Sequence, residues 1–293
     1  MVLPTFFLAG APKSGTTSLY AHLGKHPEVY VSTVKEPHFF TAAHDGWPKW
    51  GVQTMEEYAA LFEGGQECAV RGEGSTWYLY SPHAADAIHR AVPDARFILS
   101  LRNPIERAYS AWAYNVEKGW ETELTFEEAL AKEEGRMREA GFWDRHYVHA
   151  GLYSEQVRRY VQRFGSDLVH VILFEDLRRN PDRVLAKMYD FLDVDASYVS
   201  DQTAEVHNRS RFPRYSKLNR LLKNDRLRAA MGLMPSGLVK KIKGVVGRAN
   251  TKERPPISDS TRRMLAGRFR DDVHRLEEIV GMDLHDRWLG KDL

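Results

Sequence analysis

Apolar positions along this chain come first in short unbroken runs and then at helical spacing, and the two patterns alternate. Thr5 to Ala9 (TFFLA) is a run of strand type, ended by Gly10-Ala11-Pro12. From Ser18 onward, Leu19 and Leu23 with Ala21 and His22 fall at helical spacing, and His26-Pro27 closes the segment. Val29 to Val31 reads as a second strand, Ala84 to Ala91 as a helix, and Arg96 to Leu101 (RFILSL) as a strand. Pro104 suits the first position of the next helix, with Asn103 as its N-cap.

Helical spacing continues at Phe126 to Arg138 and at Ser154 to Phe164, and Leu168 to Phe174 (LVHVILF) is a further strand. Pro181 to Leu192 carries Val184, Leu185, Met188 and Leu192 on one helical face. Strands separated by helices predict an α/β fold with a central parallel sheet flanked by helices. From about Ser197 to Pro256 the pattern breaks: Arg, Lys, Asn and Ser dominate, and Gly and Pro interrupt the apolar residues. This stretch is expected to be irregular, with short helices, and to cover the active site of a single domain spanning residues 1–293. Ser258 to Val280 then resumes as a helix, with Ser258 or Asp259 as cap.

Composition narrows the picture modestly. The 293 residues are 43% hydrophobic and 28% charged, an ordinary soluble balance. Lys and Arg number 42 against 40 Asp and Glu, and that near balance argues against nucleic acid as main partner. Cys68 is the single cysteine, which excludes an intrachain disulfide and a cysteine metal cluster. The apolar N-terminus lacks a basic leader and reads as a strand, and no run approaches the ~20 apolar residues of a membrane span. A cytoplasmic setting is the expectation; oligomeric state is not legible.

The chemistry concentrates at Gly10-Ala-Pro-Lys-Ser-Gly-Thr-Thr17, where a strand passes into a helix. Backbone N–H groups and the helix dipole favour an anion at such a junction. Gly15 permits close approach of backbone to phosphate, Ser14, Thr16, Thr17 and Ser18 offer hydroxyls, and Lys13 adds a full charge. A nucleoside-triphosphatase loop, G-x-x-x-x-G-K-[ST], needs Lys directly after the second Gly. Here Thr16 holds that place and Lys13 lies inside the loop. A kinase would also need carboxylates for Mg²⁺, and neither of the other two strong strands ends in an obvious acidic metal site, although Glu175-Asp176 follows one. A kinase and a non-catalytic nucleotide-binding protein remain the alternative readings.

Pro12-Lys-Ser-Gly-Thr-Thr17 resembles the 5′-phosphosulfate loop of sulfotransferases that use 3′-phosphoadenylyl sulfate (PAPS). Arg102-Asn-Pro-Ile-Glu-Arg-Ala-Tyr-Ser110 resembles the family's 3′-phosphate site, which implies that Arg102 and Ser110 hold that phosphate. Lys35-Glu-Pro-His-Phe-Phe40, Gly72-Glu-Gly-Ser-Thr-Trp-Tyr78 and Gly151-Leu-Tyr153 through Asp193 are similar, more loosely, to heparan sulfate sulfotransferases and their bacterial relatives. The resemblance implies a P-loop-like fold, PAPS as cosubstrate, adenosine 3′,5′-bisphosphate as product, no required metal, and a small-molecule or carbohydrate hydroxyl as acceptor.

It also implies roles. Lys13 would stabilise the leaving group, and Glu36, before a His-Phe-Phe run, would be the general base. Pro37, Phe39 and Phe40 around Glu36 predict partial desolvation and a raised pKa. His38 is the competing base. Lys252 and Arg254 resemble a late basic pair that closes over the 3′-phosphate. Relatives carry a Lys in the segment Glu73-Gly74-Ser75 where this chain has Gly74, so the acceptor side does not transfer from them. Trp77, Tyr78 and Tyr80 are candidates to line an acceptor cleft. Asn208-Arg-Ser210 fits a glycosylation sequon that a cytoplasmic setting would leave unused.

Overall fold

The computed structural model describes residues 1–42, 52–139, 143–199, 212–213, 251–252 and 255–290. Five strands form one sheet: β1 (Phe6–Gly10), β2 (Val29–Val31), β3 (Val70–Glu73), β4 (Arg96–Leu101) and β5 (Val169–Leu173), in the order β2-β3-β1-β4-β5. Every pairing in it is parallel. The helices are α1 (Thr16–Leu23), α2 (Phe39–Ala42), α3 (Met55–Ala60), α4 (Ala84–Ala91), α5 (Pro104–Lys118), α6 (Phe126–Ala131), α7 (Glu133–Arg136), α8 (Tyr153–Phe164), α9 (Phe174–Arg179), α10 (Pro181–Phe191), α11 (Asp259–Val280) and α12 (His285–Trp288). The expected parallel α/β architecture is thus the observed one.

Alternation along the strands builds two apolar layers, because successive side chains leave opposite faces. Phe7, Ala9, Phe97, Leu99 and Leu101 join the larger layer with α4, α5, α8 and α11, while Phe6, Leu8, Ile98 and Ile172 join a second layer with α1 and α10. In the larger layer Phe7 stacks on Phe97 at 5.5 Å and meets Phe40 edge-on at 5.9 Å. That last contact anchors the segment 36–40 beneath the carboxyl ends of the strands.

Two sequence expectations need correction. β3 (Val70-Arg-Gly-Glu) is a strand that the apolar pattern does not announce; Gly72 gives its side-chain space to the ring of Phe6. The helix read over Phe126 to Arg138 is two helices, α6 and α7, broken at Lys132. Glu133 turns inward there, and its carboxylate accepts the backbone N–H groups of Val148 and His149. The N-caps behave as read: Asn103 Oδ1 accepts from Ile105 and Glu106, and Ser258 Oγ from Thr261. Most of the stretch from 197 to 256, with Asn208 and Ser210, lies outside the described residues.

Candidate active site

Strand β1 has β3 on one side and β4 on the other, so the chain's connections diverge at its carboxyl end. Such a switch point opens a crevice above the sheet, where ligands of open α/β folds bind. Residues 11–15 sit in it, stapled to β4. Ala11 N–H donates to Ser100 O at 2.7 Å, Ser100 Oγ donates to Ser14 O at 2.6 Å, and Arg102 Nη1 donates to Lys13 O at 3.2 Å. Gly15, at φ 84°, is the N-cap of α1; a side chain there would be strained and would meet Phe174. The first N–H groups of α1 have no carbonyl one turn back to bind, which leaves them for an anion. Thr16 is buried and Thr17 and Ser18 are half-buried. Ser14 is fully buried, beside the Tyr153 hydroxyl.

Lys13 takes the left-handed conformation at φ 71°, and its ammonium lies 3.9 Å from the ring centroid of Tyr114 on α5. Burial is the main influence on it and pushes its pKa down to about 8, against the pull of Glu117. The charge is therefore held in a poorly hydrated place, where it acts strongly on a nearby anion.

The second predicted anion site adjoins the first. Arg102 leaves β4, stacks its guanidinium on Phe174 at 4.7 Å and lies 3.9 Å from Glu106. Ser110 is buried on α5, one turn before Tyr114 and on the same face. The Phe212–Pro213 strand packs on α5 and pairs with Thr251–Lys252, and Tyr109 Oη donates to the carbonyl of Pro255. The backbone of Lys252 is therefore led toward the helix that carries Ser110. Its side chain and Arg254 lie outside the described residues. Glu175 and Asp176 serve the frame: Glu175 accepts from Asn103 N–H and Trp288 Nε1, and Asp176 pairs with Arg287.

Glu36 and His38 face each other across Pro37, Oε2 to Nε2 at 3.6 Å, and both have positive φ, 61° and 54°. Left-handed backbone in a non-glycine residue costs ~1–2 kcal/mol, and surrounding bonds maintain it. Glu36 N–H donates to Gly74 O and His38 N–H to Ser75 Oγ. Lys35 Nζ at 2.8 Å and Thr76 Oγ1 at 3.3 Å reach Glu36 Oε1. The expected upward pKa shift of Glu36 is not observed. Burial does push it up, but the hydrogen bonds and charge of His38 and Lys35 outweigh burial and hold it at about 2.

Glu73, at the carboxyl end of β3, organises this loop and was not singled out from the sequence. Its fully buried carboxylate accepts Tyr58 Oη at 2.8 Å, Tyr78 Oη at 2.7 Å and Ser75 Oγ at 2.6 Å. Ser75 and Tyr78 in turn accept the N–H groups of His38 and Phe40. Burial raises the pKa of Glu73 against those hydroxyl bonds. One signal is available: an acidic residue followed two positions on by a serine and five positions on by a tyrosine, both hydroxyl donors. Tyr78 is consequently a core residue and does not line a cleft.

Trp77 and Tyr80 are partly exposed and pack with Trp143 at 6.3 and 5.3 Å. Tyr80 Oη lies 2.7 Å from His146 Nδ1 and 2.8 Å from His149 Nδ1, so it donates to one ring and accepts from the other. Burial lowers the pKa of both imidazoles, that of His146 to about 4. At Gly74 a Cβ would lie 2.9 Å from the ring of Tyr20, so Tyr20 takes the room a longer residue would need.

A family model described as sulfotransferase domain matches residues 3–248. A sulfotransferase from Alicyclobacillus acidocaldarius has a similar structure, with TM-score 0.75 and 30% identity over 98% of this chain and 99% of that one. The membrane-associated sulfotransferase kil1 of Dictyostelium discoideum is 23% identical over 271 residues, 66% of this chain and 57% of that protein. Carbohydrate sulfotransferase 15 of Homo sapiens is 25% identical over 246 residues, 66% of this chain and 44% of that protein. The chain spans about half the length of these curated relatives.

Proposed function

Since this chain belongs to the sulfotransferase-domain family, we propose that it transfers a sulfuryl group from PAPS to a hydroxyl of a carbohydrate or small molecule. The observation that carries the reading is the joining of two anion sites by the Arg102–Lys13 hydrogen bond. A donor with phosphate at both its 5′ and 3′ ends needs two such sites side by side. Lys13, Gly15 and the first N–H groups of α1 would receive the 5′ end, and Arg102 with Ser110 the 3′-phosphate.

In the reaction the acceptor oxygen bonds to sulfur as the bond from sulfur to the bridging oxygen breaks. The electron pair of that bond leaves with the bisphosphate, and the Lys13 ammonium neutralises the growing charge. The acceptor proton passes to Glu36, with His38 beside it. A carboxylate held near pKa 2 is a weak base for a resting alcohol. It suffices here, because an oxygen already bonded to sulfur and still protonated is a strong acid, and the proton can move late. No observation favours a kinase: Thr16 holds the position its lysine would need.

The test is transfer of labelled sulfate from PAPS to a panel of saccharides, phenols, alcohols and amines, beside calorimetry with adenosine 3′,5′-bisphosphate and ATP. Bisphosphate binding with hydroxyl sulfation supports the reading. ATP binding with no affinity for the bisphosphate would sink it, and sulfation confined to amines would replace the hydroxyl acceptor.

A further inference from the structure

The ammonium of Lys13 is placed on a ring face. Its Nζ lies 3.9 Å from the centroid of Tyr114, which is half-buried on α5. Trp120 meets the same ring edge-on at 5.8 Å, and the ammonium of Lys118 lies 5.2 Å from its centroid. Lysine is a flexible, strongly hydrated point charge, and a poorly hydrated position does not by itself keep it charged or in place. An aromatic face does both, because its negative quadrupole attracts the ammonium and not the amine.

The charged groups facing Lys13 come from three elements: Glu117 and Lys118 on α5, Arg102 after β4, and Glu36 after β2. Two of these are cations that oppose its proton, and burial opposes it more. Lowered to about 8, the pKa of Lys13 lies far nearer neutral pH than that of an ordinary lysine. Only the charged form can stabilise a leaving phosphate oxygen, so a group that favours this form matters to transfer.

Resting on the sulfotransferase reading, we propose that Tyr114 is a positioning residue for Lys13: its ring holds the ammonium charged at the junction of the two phosphate sites until the donor arrives. The ring face carries the effect, so phenylalanine can replace tyrosine and an aliphatic residue cannot.

The experiment uses the full chain without nucleotide, labelled with ¹³C-lysine. The Lys13 ε-methylene resonance is assigned by its absence in Lys13→Arg and followed against pH. The wild type and Tyr114→Phe should show an upfield ring-current shift and a midpoint near 8. Tyr114→Leu should lose the ring-current shift, with its midpoint lower by about 0.5–1 pH unit. The alkaline limb of kcat/KM for PAPS should move by the same amount in Tyr114→Leu, while Tyr114→Phe stays near the wild type. Tyr114→Gln substitutes if the leucine variant does not fold.

An unchanged resonance and midpoint in Tyr114→Leu overturn the proposal, and so does a Tyr114→Phe variant that behaves like leucine. A protein that shows the pairing in this spectrum but sulfates no acceptor overturns the sulfotransferase reading instead.

Discussion

Arg102 donates a guanidinium hydrogen bond to the main-chain carbonyl of Lys13 at 3.2 Å, joining two segments 89 residues apart in sequence. The bond ties the two segments proposed to receive the 5′ and 3′ phosphates to each other. Arg102→Ala should therefore weaken adenosine 3′,5′-bisphosphate by about 10–100-fold, since it removes a charge-assisted contact and loosens the neighbouring loop. Calorimetry with adenosine 5′-monophosphate separates the two effects: the loss should persist, in smaller degree, for this ligand without a 3′-phosphate.

Lys13→Ala should lower kcat by about 10²–10³-fold, the usual cost of removing one group that neutralises charge in the transition state. In the wild type, kcat/KM for PAPS should fall as pH rises through about 8, where free Lys13 loses its proton. A rate that stays flat to pH 10 would remove Lys13 from this role.

Glu36→Gln should reduce kcat by about 10²–10⁴-fold while leaving bisphosphate affinity within a few-fold. Because its carboxyl is held at about 2, below the ordinary 4.5, Glu36 stays ionised throughout the usual assay range. A pH–rate inflection at 4.5 that disappears in Glu36→Gln would contradict this. The same shift makes a stability statement. The contribution of Glu36 is complete above pH 4.5 and is lost as pH falls toward 2, so urea midpoints of wild type and variant should converge in acid.

Glu73→Ala should cost about 3–5 kcal/mol of unfolding free energy, because three buried hydroxyls lose their acceptor. Glu73→Gln keeps one acceptor oxygen and should cost less. Both should lower kcat more than they weaken bisphosphate binding, since Ser75 and Tyr78 hold the segment of Glu36 and His38, not the phosphate loop. Equal losses in the two measurements would show that Glu73 supports the whole crevice.

Where the chain writes its structure in local pattern, it was legible. Arg96 to Leu101 is a strand in which Phe97, Ile98, Leu99 and Leu101 make a short apolar run, and Asn103-Pro104 opens a helix through a cap and a preset φ. The phosphate loop was readable because its function needs particular residues at fixed spacing. β3 was not, since a strand buried between β2 and β1 can carry Arg71, Gly72 and Glu73 once Phe6 fills the space over the glycine. The pKa of Glu36 was misjudged for a related reason. Pro37 and Phe39–Phe40 signal burial, whereas the stronger opposing pull comes from His38, whose approach depends on two left-handed residues, and from the adjacent Lys35.

The sheet order has a further consequence. On the sulfotransferase reading, the groups proposed to grip the donor follow β1 and β4, while Glu36 follows the edge strand β2 and is framed by residues after β3. Trp77 and Tyr80 share the segment after β3 with Ser75 and Tyr78, which frame the Glu36 loop, whereas Trp143 stands on a separate connection between α7 and α8. On that reading, the Trp143 connection can change without altering the donor loop or the residues that frame Glu36. Grafting the Trp143 connection of a relative onto this chain should therefore redirect which molecule is sulfated while the nucleotide grip persists, so one scaffold can be retuned to new acceptors through a single segment.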